Sequence, residues 1–100
     1  MKQAEILRFE AMTVEYLLTE KRQAVGMSLD EVAKATYPDD DISRARMKLY
    51  RLRKPQKSTG APRRISLDEF AAICKALGLN PVQELAVVLD RFEQDKQLTK

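Results

Sequence analysis

Apolar residues recur along this chain at helical spacing, and no stretch alternates as a half-buried strand would. The pattern predicts an all-α protein of five helices. The first spans about Lys2 to Ala24, unusually long, with Leu7, Ala11, Val14, Leu18 and Val25 on one stripe and Ile6 and Leu17 beside it. A second apolar group, Phe9, Met12 and Tyr16, lies well around the cylinder from that stripe. Gly26 is placed to end the helix, because glycine takes the left-handed conformation at little steric cost.

Ser28-Leu29-Asp30-Glu31 reads as a capping box, in which serine and glutamate each satisfy the other's backbone N–H. It opens a second helix that turns Leu29, Val32, Ala33 and Thr36 inward. Pro38 keeps Tyr37 out of the helical region, so this helix is short. Asp41 then caps a third helix, Ile42 to about Lys54. Ile42, Ala45, Leu49 and Leu52 share an arc of roughly 80° on it. Pro55 and the small residues up to Pro62 read as a loop. The box recurs at Ser66-Leu67-Asp68-Glu69 and opens a fourth helix, with Leu67, Phe70, Ala71, Ile73, Cys74 and Leu77 facing a core and Gly78 as its stop. Asn80 and Pro81 begin the fifth, whose stripe is Val82, Leu85, Ala86, Leu89 and Phe92. Residues 1–92 thus form one compact domain, and 93–100 read as a polar tail.

One hundred residues, 44% apolar and 33% charged, suit a single globular core. Histidine is absent and Cys74 is the only thiol, which excludes an internal disulfide and any site built from histidines or several cysteines. Cys74 lies on an apolar helix face, where packing accounts for it. No signal-peptide core is present, and no apolar run nears the ~20 residues that span a bilayer. A cytoplasmic protein without a membrane partner is expected. No nucleophile–base pair or phosphate-cradling glycine loop is visible, so no enzyme, cofactor or metal is expected. Asp39-Asp40-Asp41 is explained by helix capping better than by a divalent ion.

Charge changes the picture most. Between Ile42 and Leu67 the chain carries nine Lys/Arg and no acid, while the remainder carries nine bases against fifteen acids. Clustered charge attracts a polyanion far better than the same charge dispersed. Two short helices with a tight connection, the second basic on its outer face, describe a helix-turn-helix. In that arrangement Ser43, Arg44, Met47 and Lys48 lie nearest the base edges of double-stranded DNA, where arginine can pair with guanine and methionine can meet a thymine methyl. Arg51 and Lys54 lie further along, towards phosphates, and Lys57, Arg63 and Arg64 on the 55–65 loop join them. The helix start at Ser28 can offer N–H groups to a phosphate. Tyr50 can either pack or contact phosphate.

The run GMSLDEVAKA, then ISRAR, then ISLDEFAAICKALGLNP resembles the phage-repressor and Cro-like helix-turn-helix family, often called XRE-type. The matching features are Ser28 to Glu31 followed by Val32-Ala33, then Ile42-Ser43-Arg44, then Ala76-Leu77-Gly78 and Asn80-Pro81. The resemblance covers about Tyr16 to Leu89. It implies a lambda-repressor-like five-helix domain acting as a transcriptional regulator or repressor, usually a homodimer on a palindromic operator. Its recognition positions fall on Ser43, Arg44, Met47 and Lys48. The extended first helix exceeds what such a domain needs. Its Phe9, Met12 and Tyr16 would pack on the last helix or, the reading preferred, form a dimer interface. The alternatives are a protein-interaction module, antitoxin-like or phage-regulatory, whose helix-turn-helix is secondary to binding a partner, such as a regulatory protein, through Phe9, Met12 and Tyr16, or a non-specific nucleic-acid or RNA binder.

Overall fold

After the first helix, each helix begins where a side chain accepts backbone N–H groups that its first turn leaves unbonded. In the computed structural model, which describes residues 1–57 and 60–98, α2 (Leu29–Thr36) is capped by Ser28 and α4 (Leu67–Ala76) by Ser66, each within a closed capping box. Asp41 caps α3 (Ile42–Arg53), accepting from the Arg44 N–H at 2.9 Å. Asn80 does the same for α5 (Pro81–Leu98), accepting from the Val82 N–H at 2.9 Å. The preceding helix, α1, runs as an α-helical stretch Gln3–Glu15, a π-helical stretch Tyr16–Lys21 and a final turn Arg22–Val25. Gly26 and Gly78 follow α1 and α4 at φ 77° and 74°, the left-handed cap that an L side chain adopts only under strain. The architecture is all-helical, with no strand among the described residues.

α2 packs against both α3 and α4, while α5 turns back by 109° from α4 to lie along α1. Leu17, Leu18, Val32, Ala33, Ala45, Ile73, Cys74 and Phe92 are wholly buried between them. Burial pushes the Cys74 thiol up to about 11, with help from the nearby Glu84 charge. A thiol so held stays protonated and inert near neutral pH.

The register of α1 departs from the regular helical stripe. Leu7, Ala11 and Val25 are exposed, while the successive residues Tyr16, Leu17 and Leu18 are all buried. The π-helical turn is the cause: its wider turn shifts the face that follows relative to the one before. The Arg22 side chain braces it, donating to the Leu18 carbonyl at 2.6 Å and the Met27 carbonyl at 2.9 Å.

The preferred dimer surface is also corrected. Phe9 and Met12 pack against the chain's own core, and Tyr16 is only 7% exposed. Phe9 meets Phe92 with ring centroids 5.5 Å apart, and the Tyr16 hydroxyl donates to Glu84. These aromatics are therefore consumed by α5 within one chain. The same contacts rotate α5. Glu84, Val88 and Phe92 face inward, leaving Val82 77% exposed and Leu85 and Leu89 37% each. Residues 93–98, expected as tail, continue α5 instead. Asp95 pairs with Arg8 of α1, and Lys96 with Glu5 at 2.7 Å. Ser58, Thr59, Thr99 and Lys100, parts of the expected loop and tail, lie outside the described residues. No single helix among the described residues is long and apolar enough to cross a bilayer.

Candidate nucleic-acid interface

α3 buries Ala45, Leu49 and Leu52, which fixes what its other side presents. Ser43, Arg44, Met47, Lys48, Arg51 and Lys54 are all exposed, as the spacing predicts. Met47 is 48% exposed, and Tyr50, at 54%, is a surface side chain rather than a packed one. Ile42 also reaches the surface, one turn short of the buried face. Arg44, Met47, Arg51 and Lys54 repeat at helical intervals along one side.

Exposure alone does not make a cation available. Arg46 forks onto Asp30 of α2, with donor–acceptor distances of 2.9 and 2.8 Å. Lys48 places its ammonium 2.5 Å from Asp40 and 5.2 Å from the Tyr37 ring centroid. Among the described residues, Arg44, Arg51, Arg53, Lys54 and Lys57 have no such carboxylate partner. The C-terminal half of α3 and the segment Pro55 to Lys57 together line an open groove, with Tyr50, Arg51, Lys54 and Lys57 on its walls. Its lining can take a phosphodiester strand: cations for the phosphates, an aromatic face for a base or sugar.

Ser28 sits exposed at the start of α2, its hydroxyl oxygen accepting from the Glu31 N–H at 3.1 Å. Its own N–H goes to the Glu31 carboxylate at 3.0 Å, so the capping box takes up that donor. Asp30, two residues on, already places a carboxylate at this helix start.

Arg63 and Arg64, expected on phosphates, are turned onto the protein. Arg63 donates to both Glu69 oxygens, at 3.0 and 2.6 Å, and to the Lys48 carbonyl at 3.2 Å. Its backbone N–H meets the Arg51 carbonyl at 2.9 Å, one of the acceptors that the end of α3 leaves open. Arg64 forks onto Glu10 of α1 at 2.6 and 3.1 Å. Glu69 is the hub, since the Tyr37 hydroxyl also donates to it at 2.5 Å. Burial alone would raise its carboxyl, but the Arg63 guanidinium and the Tyr37 hydroxyl outweigh that and hold it down at about 2. The loop thus braces α3 against α2 and α4. Sequence patterning identified Glu69 only as a cap; its place three residues after Ser66, beside Arg63 and Arg64, was the available signal.

Comparisons with protein families, with curated proteins and with solved structures return no match.

Proposed function

We propose that this chain binds double-stranded DNA in sequence-specific fashion as a transcriptional regulator. In this reading α2 and α3 form a helix-turn-helix of the lambda-repressor-like kind, with α3 in the major groove. The observation that carries it is the outward side of α3, where Arg44, Met47, Arg51 and Lys54 stand exposed and unpaired by any carboxylate among the described residues. Guanidinium donors and an apolar thioether on a rigid helix are what base edges recognise. Arg44 and Met47 read bases, while Arg51, Lys54 and Lys57 hold backbone phosphates. The motif order that resembles XRE-type regulators points the same way.

The rotation of α5 supports a pairing of two copies. Its exposed Val82, Leu85 and Leu89 form an apolar face that a second chain can cover, in place of the buried aromatics of α1. A distinct regulatory protein on this face is the second reading, favoured by the same exposed residues.

Selection of bound sequences from a random duplex pool tests specificity, and a palindromic consensus is the expected result. Arg44→Ala with Arg51→Ala should weaken binding to that consensus on the order of a hundredfold, at about 1–3 kcal/mol per contact, with the thermal midpoint unchanged. Unaltered affinity would refute the assignment of α3. Leu85→Lys with Leu89→Lys should convert a dimer to a monomer by sedimentation; a wild-type chain already monomeric with DNA would refute the pairing.

A further inference from the structure

Two acids lie opposite two cations of α3, and neither is needed to start a helix. The Ser28–Glu31 box closes the start of α2 without Asp30, and Asp41 caps α3 without Asp40. Asp30 instead holds Arg46 in a two-pronged pair, with both side chains more than half exposed. Asp40 is the more enclosed, its side chain 18% exposed, with the Lys48 ammonium against its Oδ2. Lys48 is held from a second side by the Tyr37 ring, itself anchored through its hydroxyl to Glu69.

Ion pairs open to solvent on one or both sides, as these are, contribute little to folding. Their effect on a polyanion differs. A cation neutralised by a fixed carboxylate releases no phosphate counterion when DNA arrives, so it adds nothing to sequence-independent attraction. Specificity is a ratio, and it rises when non-specific affinity falls while base contacts are kept. Arg44 has no such carboxylate, and Met47 carries no charge; the two restrained cations stand on either side of Met47, at 46 and 48.

We propose that Asp30 and Asp40 are specificity-determining residues, holding Arg46 and Lys48 in intramolecular pairs that persist on DNA and keep both from non-specific phosphate contact. This inference rests on the DNA-binding reading and adds to it which cations of the basic window do not engage. Sequence alone counts all nine bases toward attraction; the geometry withdraws these two, besides Arg63 and Arg64.

The test is equilibrium binding of the full chain to a random-sequence duplex across a salt series, by fluorescence anisotropy. The proteins compared are wild type, Asp30→Asn, Asp40→Asn and Asp39→Asn, the last removing an exposed neighbouring acid that holds neither cation. Asp30→Asn and Asp40→Asn should each bind several-fold tighter and steepen the slope of log affinity against log salt by about 0.9, one added phosphate contact. Asp39→Asn should leave that slope unchanged. Adding Arg46→Gln to Asp30→Asn should return the slope to the wild-type value, which ties the effect to the pair. Slopes unchanged in both variants, or the same steepening in Asp39→Asn, would overturn the inference while leaving DNA binding standing. No duplex binding by any of the proteins would overturn the DNA-binding reading and this inference with it.

Discussion

The flank where α1 meets α5 and the outer face of α3 are both rich in charge, yet they handle it in opposite ways. Along the flank, bases meet acids across the helix pair: Arg8 with Asp95, Lys96 with Glu5, and Arg91 with Glu20 at 2.7 Å. Beneath them lie Phe9 on Phe92, and Tyr16 on Glu84 with the Arg91 guanidinium 4.8 Å from the Tyr16 ring centroid. On α3, Arg44, Arg51 and Lys54 face outward with no carboxylate opposite among the described residues. Charge density alone does not separate a structural surface from a binding one. In the function proposed here, the presence or absence of a matched partner does.

On the proposed DNA-binding reading, flank substitutions should cost stability, whereas those on α3 should cost binding. The largest effect should come from Phe92→Ala, which removes a wholly buried ring and should destabilise the fold by about 3–5 kcal/mol in chemical denaturation. A change under 1 kcal/mol would mean that α5 is not seated as described.

Tyr16→Phe comes next. It strips the donor from Glu84, which is only 8% exposed, at a cost of about 1–3 kcal/mol for an unsatisfied buried group. Burial, then the Glu84 contact, pushes the Tyr16 hydroxyl from 10.0 up to about 12. Because the folded value is raised, the stabilisation is complete below pH 10 and lost as pH rises through about 12. The midpoint should fall more steeply across that window in wild type than in Tyr16→Phe; parallel curves would remove Tyr16 from the account.

The smallest change is expected in the brace beneath α3. The Glu69 carboxyl is held below its ordinary 4.5, at about 2, so its contribution is present above pH 4.5 and lost as pH falls toward 2. Partial solvent exposure reduces that contribution to on the order of 1 kcal/mol. Glu69→Gln should flatten the acid limb of a stability–pH curve and loosen α3 without removing any outward cation. Identical acid limbs would show that the Arg63 and Tyr37 contacts add nothing.

Local chemistry carried most of the fold into the sequence. The two SLDE boxes, Asp41, Asn80-Pro81 and the glycines at 26 and 78 act within one or two turns, and each appears where its spacing indicates. The outer face of α3 was legible for the same reason, since burial of Ala45, Leu49 and Leu52 determines it. The rest depended on partners distant in the chain. Nothing near Tyr16 announces the π-helical turn that buries three successive residues. The rotation of α5 depends on Glu84 meeting a hydroxyl 68 positions away, and a carboxylate on an amphipathic helix reads as surface until that donor is known. Arg64 reads as a free cation for the same reason, because Glu10 lies 54 residues away; Arg63 differs, since its partner Glu69 is six residues on and was accounted for as the Ser66 cap.

Cys74 gives the chain a built-in clock. It is the only thiol, fully enclosed, and protonated near neutral pH. A thiol reagent can reach it only during an opening of the core, so with excess reagent the labelling rate counts those openings directly. Slower labelling with DNA present would measure, without any added probe, how much the bound duplex restrains the core.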